Sequence, residues 1–247
     1  MKSKLLFVVL FVFAYLLFVL TSAPAQLLSL VTPMPANVSY SGLQGSVWNA
    51  QIEHAQVDSV ELENISTSLS PLSLLSLSPE VFVEIKGGLS DSPTGQGLVQ
   101  LSEQQISLQE LDLQVPANSI VPFFNAPVPV TAFGGVDVSV STLVMSGNRC
   151  LSAEGKVTWQ RAAVAAFDQT VELGNFTANI SCQQENLMLT LEPQNNLGLT
   201  FTAQLNKQGR LIGNGYLKPA ARFPKSLNNL LPFLGRKDGQ GRYRLTL

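Results

Sequence analysis

The pattern of apolar and polar positions changes character once along the chain. From Leu5 to Leu20 it reads LLFVVLFVFAYLLFVL, sixteen residues without a charge. Extended through Thr21 to Ala23, the run predicts a helix roughly 28 Å long at about 1.5 Å per residue, enough for a bilayer core. Lys2 and Lys4 precede it and no charge comes directly after it, so the positive-inside rule keeps residues 1–4 in the cytoplasm and exports the rest of the chain. Ala23-Pro24-Ala25 also fits a signal-peptidase site with cleavage before Gln26, but the length of the apolar run favours a retained anchor over residues 5–23.

Beyond the anchor the period becomes two. Leu111-Asp112-Leu113-Gln114-Val115, Val136-Asp137-Val138-Ser139-Val140, Leu187-Met188-Leu189-Thr190-Leu191 and Leu197-Gly198-Leu199-Thr200-Phe201 each put apolar side chains on one face, as half-buried antiparallel strands do. Turn signals separate them at Gly87-Gly88, Ser92-Pro93-Thr94-Gly95, Ser146-Gly147-Asn148, Lys207-Gln208-Gly209 and Asp238-Gly239. The expectation is an all-β domain over residues 40–247, a curved antiparallel meander, open or partly closed. Residues 24–39, with Pro24, Pro33 and Pro35, read as a linker or an extended arm between membrane and domain. Short helices are expected at Ser70–Ser76, with Pro71 in the first turn, at Asn118–Phe124 and at Pro224–Gly235.

The stretch SGLQGSVWNA joins linker to domain. Gly42 to Gly45 reads as a tight turn, and Ser46-Val47-Trp48 as the start of a first strand whose indole anchors the sheet. The order GLQGSVWNAQIEHAQVDSVELENIS, then TSLSPLSLLSLSPEVFVEIKGG with Pro71 and Leu74-Leu75, then PFFNAPVPVTAFGGVDVSV and finally GQGRYRLTL resembles the type II secretion system protein N family, within the wider AsmA-like group of envelope proteins. Asn49-Ala50 departs from the small-residue pair more usual there. The resemblance implies a single-span inner-membrane protein of a Gram-negative bacterium with a periplasmic β domain, supporting export of folded proteins across the outer membrane. It implies a structural or adaptor role beside other inner-membrane or periplasmic secretion subunits, and it carries over no catalytic residues.

Composition narrows the chemistry. The 247 residues are 13% charged with a net charge of −2, which gives no electrostatic case for nucleic acid. His54 is the one histidine, and its neighbours Glu53 and Asp58 suggest a triad. No G-x-S-x-G elbow accompanies them, and one His with two distant cysteines does not make a common zinc pattern. Neither enzyme activity, nor a cofactor, nor a metal is expected. Cys150 and Cys182, an even pair in an exported chain, are read as a disulfide, with two buried thiols as the alternative.

Charge is distributed unevenly. Residues 50–115 hold ten acidic side chains and one basic, Lys86, whereas residues 207–247 hold nine basic and one acidic, Asp238. Arg236, Lys237, Arg242 and Arg244 among the latter form a candidate interaction face for anionic headgroups or an acidic partner. The alternative to the adaptor role is a lipid- or apolar-ligand-binding module, because a curved sheet with one apolar face can form a groove.

Overall fold

The computed structural model describes residues 2–27, 38–58, 60–88, 92–123, 129–166 and 169–246. Helix α1 covers Lys2–Thr21, 20 residues. Among the described residues no helix is long and apolar enough to cross a membrane. The span expected over 5–23 includes Leu5, Leu6, Val9, Phe13, Leu16, Leu17 and Leu20, whose side chains lie outside the described ones.

The described strands all belong to one antiparallel sheet of 14. They are β1 (Val38–Ser41), β2 (Gln44–Gly45), β3 (Asn49–Val57), β4 (Val60–Leu69), β5 (Glu80–Ile85), β6 (Thr94–Leu101), β7 (Ile106–Pro116) and β8 (Thr131–Ser146), then β9 (Arg149–Ala166), β10 (Gln169–Gln183), β11 (Asn186–Leu191), β12 (Leu199–Leu205), β13 (Leu211–Leu217) and β14 (Tyr243–Thr246). Spatial order follows sequence order from β1 to β14, with β2 set beside β3, and among the described residues no ladder joins the end strands, so the sheet is an open meander. The short helix Pro71–Leu75 starts on Pro71, whose missing N–H costs nothing in a first turn. The other two expected helices are 3₁₀ turns, Ala117–Phe123 and Lys225–Leu234; Phe124 lies outside the described residues.

Residues directly opposite in a ladder share a face, so register assigns the two faces. One continuous row runs Ile52, Ile65, Ile85, Gly95, Leu113, Val138, Val157, Ala178, Leu191, every member apolar or glycine. On the other face a row runs from Gln51 through Ser66, Glu84, Gln96, Asp112, Ser139, Lys156, Asn179, Thr190, Thr202 and Asn214 to Thr246, every member polar. The apolar face is only partly covered. The Ala117–Phe123 turn folds back on it, and Ile120 and Val121 pack with Ala117, Ala132, Val136, Val138, Val157, Trp159 and Val164 in the best-formed core. Much of the remaining apolar row is half-buried, the condition of a long sheet that twists and curls instead of packing against a second layer.

One sequence reading needs correction. Ser46-Val47-Trp48 is not strand: Ser46 forms an isolated bridge with Pro24, Val47 and Trp48 make a bend, and β3 begins at Asn49. Half-buried Trp48 sits at the corner, its carbonyl accepting from the Leu69 amide at 2.9 Å. The linker is also engaged at both described ends, since Pro24 pairs with Ser46 and Val38 and Ser39 already belong to β1; residues 28–37 lie outside the described ones. Strand pairing stops short of the corner because its backbone groups bond elsewhere: the Val47 amide to the Ala23 carbonyl, and the Ser46 and Asn49 amides to each other's carbonyls.

Candidate functional site

Antiparallel pairing alternates strand direction, so the connections collect into two rims. The near rim carries the β2–β3 corner, the β4–β5 connection with Pro71–Leu75, and the hairpin turns at 147–148, 184–185 and 206–210. The far rim carries the β5–β6, β7–β8 and β11–β12 connections and the long β13–β14 excursion. The chain leaving α1 is fixed to the near rim: the Val47 amide donates to the Ala23 carbonyl at 2.9 Å and the Ala25 amide to the Gly45 carbonyl at 3.1 Å. Gly45 is indispensable to that docking, because its φ is +91° and a Cβ there would run into the Asn49 carbonyl oxygen. Gly42, at φ +71°, leaves no room for a Cβ beside the Glu53 side chain, whose Oε1 accepts from Gln44 Nε2 at 3.0 Å.

The predicted basic face assembles on the far rim. Arg242 donates from its backbone and side chain to Asp238, both at 2.9 Å, closing an ion pair at 2.8 Å, and its guanidinium lies 4.0 Å from the Tyr216 ring centroid. Lys237 stands over the Tyr243 ring at 5.3 Å. The Arg242 backbone N–H, foremost, holds the Asp238 carboxyl below the usual carboxylate range, and the Arg242 side chain adds to it. Two of the four arginine and lysine residues are thus structural, while Arg236 and Arg244 are exposed and make no ion pair among the described residues. Lys218, Arg222 and Lys225 extend the same exposed surface, and Leu230 and Phe233 stand out from it, Phe233 at 85% exposure. Because the meander keeps sequence order, the uneven charge of the chain becomes an uneven charge in space, acidic toward β3–β7 and basic at β13–β14.

Cys150 and Cys182 are joined, with Cα atoms 5.6 Å apart, tying the start of β9 to the end of β10 at the near rim. The turn beside them is clamped further. The Cys150 amide donates to the Glu185 carbonyl at 2.9 Å, and the Glu185 carboxylate pairs with Lys207 and, at 3.7 Å, with Arg149. The Lys207 ammonium, by hydrogen bond and charge, lowers the Glu185 pKa.

No triad forms around His54. Glu53 points to the opposite face and Asp58 lies in the β3–β4 turn, whereas the ladder sets His54 opposite Glu63, with Nδ1 3.8 Å from Oε1. Glu61 joins them, and the ligand atoms of the three lie within 4.8 Å of one another, an arrangement able to hold a cation but exposed at His54 and Glu61. Sequence reasoning missed the two glutamates because cross-strand register, not spacing, brings them to the histidine. A depression of about 510 Å³ crosses β5–β8, and its carboxylates are committed to neighbours: Glu84 to Ser66 and Lys86, Asp112 to Ser139, Asp137 to Gln160.

No solved structure matches this chain. The family model for type II secretion system (T2SS), protein N matches residues 36–246, the whole of the sheet. The chain is 30% identical to the type II secretion system protein N of Aeromonas hydrophila, covering 99% of this chain and 98% of that one. It is 26% identical to the protein of that name from Vibrio cholerae serotype O1, covering 91% and 90%, and 28% identical to that of Klebsiella pneumoniae, covering 98% and 94%. A match that spans the sheet from its first strand to its last, with relatives covered over 90–98% of their own length, establishes that the chain belongs to the type II secretion system protein N family.

Proposed function

We propose that the protein is an inner-membrane-anchored adaptor of the type II secretion system, with α1 crossing the bilayer and the sheet standing in the periplasm. The observation that carries this reading is the pinning of the chain leaving α1 to one rim, which leaves Arg236 and Arg244, exposed and without an ion pair among the described residues, at the other. The described apolar side chains of α1 support the anchor: Phe7, Phe11 and Phe18 are about 70% exposed to solvent and left uncovered by the described sheet. Lys2 and Lys4 set its direction.

Distance argues that the basic rim meets a protein. Strand β13 has 7 residues, roughly 23 Å at about 3.3 Å each, between the two rims. The Debye length is about 8 Å at physiological ionic strength, so a bilayer at the near rim exerts little pull on charges at the far one. An acidic surface on another secretion subunit of the inner membrane or periplasm is the partner this rim fits. A second reading, binding of a lipid or other apolar ligand, is favoured by the unbroken apolar row from Ile52 to Leu191.

The test is complementation of a strain lacking the protein. A phosphatase fused after Leu247 is expected to be active, the protein to stay with membranes after alkaline washing, and Arg236→Glu with Arg244→Glu to stop secretion at normal abundance. A soluble mature form starting at Gln26 would reject the anchor. Full secretion by the double variant would reject the basic rim as the contact.

A further inference from the structure

The connection between β4 and β5, SPLSLLSLSP from Ser70 to Pro79, contains no charge and is folded around Ser73. Ser73 is buried; its hydroxyl donates to the Ser70 carbonyl at 2.6 Å and accepts from the Glu80 amide at 2.8 Å. The Ser76 hydroxyl donates to the Ser73 carbonyl at 2.8 Å. These bonds fix the backbone and turn the leucines out: Leu72, Leu75 and Leu77 are 76%, 83% and 84% exposed, and Leu74 is 40% exposed. In water this is the reverse of a stable loop, and the serine bonds leave the leucines no way to fold back under it.

The position of this loop identifies what covers it. The Ala23 carbonyl, two residues past the end of α1, accepts from the Val47 amide, and the neighbouring Trp48 carbonyl accepts from the amide of Leu69, the residue before Ser70. The leucines therefore stand at the near rim, within a few strand spacings of the place where α1 joins the sheet, and a strand spacing is about 4.8 Å. We infer that Leu72, Leu74, Leu75 and Leu77 insert into the periplasmic leaflet of the bilayer that α1 crosses, as a second, uncharged membrane contact that fixes the tilt of the sheet. The inference rests on the reading of α1 as a membrane anchor. The occupant is the hydrocarbon edge of the leaflet and not its headgroups, because the loop offers them no cation, whereas the apolar residues Leu230 and Phe233 belong to a segment flanked by Lys225 and Arg236 on the far rim.

The test uses the full chain, with its native disulfide, reconstituted in phosphatidylethanolamine–phosphatidylglycerol vesicles. Single nitroxide labels are placed at Leu72→Cys, Leu75→Cys, Val12→Cys in α1, and Phe233→Cys on the far rim, all positions that are exposed and unneeded for the fold. Relaxation by oxygen against a water-soluble nickel chelate reports immersion. The expected result is an oxygen-over-nickel ratio several-fold higher at Leu72, Leu75 and Val12 than at Phe233. Labels at Leu72 and Leu75 that relax like Phe233 while Val12 is immersed overturn the leucine contact and leave the anchor standing. Immersion of the leucine labels without Val12 overturns the anchor, and with it the role of the leucines as a second contact beside a membrane-crossing α1. Labels at all four positions in water overturn both.

Discussion

The two rims of one sheet solve opposite problems. Where α1 joins the near rim the chain uses uncharged residues and backbone bonds: Gly45 and Val47 hold the segment leaving α1 and Ser73 holds a loop of exposed leucines, while farther along the same rim the Cys150–Cys182 disulfide and the Glu185 ion pairs close the hairpins. At the far rim it uses cations, some of them tied to Tyr216, Tyr243 and Asp238 and the rest without a counter-charge among the described residues. The difference teaches how two corners of a single-layer sheet diverge: the apolar, hydrogen-bonded corner beside α1 suits a bilayer, and the cationic corner at β13–β14 suits a protein surface in water.

Removing the disulfide tests the near rim most severely. The cysteines are 32 residues apart, so Cys150→Ala with Cys182→Ala is expected to cost about 3–4 kcal/mol in the chain-entropy account, read as a lower urea midpoint of the intact chain. Gly45→Ala comes next, at roughly 1–3 kcal/mol, since it adds left-handed strain and a clash with the Asn49 carbonyl; lower abundance in the membrane fraction would report it. An unchanged midpoint in either variant would show that the near rim is not what holds the sheet.

The far rim is expected to separate function from stability. Arg236→Gln with Arg244→Gln should change unfolding free energy by no more than about 0.5 kcal/mol, as exposed substitutions do, and still lower secretion. A loss of abundance that matched the loss of secretion would make these arginines part of the fold.

The smallest effect is electrostatic and distinguishes the rims by pH. Asp238 and Glu185 both have lowered pKa values in the folded chain, so each contributes stability above the ordinary carboxylate pKa and loses it as pH falls through the lower folded value. Lys207→Ala should return Glu185 toward the ordinary carboxylate pKa and leave Asp238, held by Arg242, where it was. Carboxyl titration by NMR measures both. A shift of Asp238 in that variant would mean the rims communicate.

Legibility in the sequence followed local regularity. Alternation marks β7, β8, β11 and β12, and glycine-bearing turns mark 147–148 and 207–209. The 18 residues of β9 carry no such mark because bulges break the period; Arg161, at φ +49°, sits in one. In β7, Glu110 at φ +49° does the same, putting Leu108 and Leu111 on one face three residues apart. The candidate interaction face was legible as a run of cations, but not the division of labour within it, because Tyr216 and Asp238 reach Arg242 through a hairpin that no spacing rule specifies.

By itself the sequence determined the uncharged N-terminal run, the all-β class, the pairing of the only two cysteines and the family, all properties of neighbours in the chain or of the chain as a whole. Tertiary structure alone decided that the acidic and basic halves lie at opposite sides of one sheet, that the leucines of Ser70–Pro79 share a rim with the end of α1, and that His54 faces Glu61 and Glu63. Strand order and register make the difference. A shift of one residue in any ladder exchanges the faces, and only the packing of apolar rows across many strands at once selects the register that brings these distant groups together.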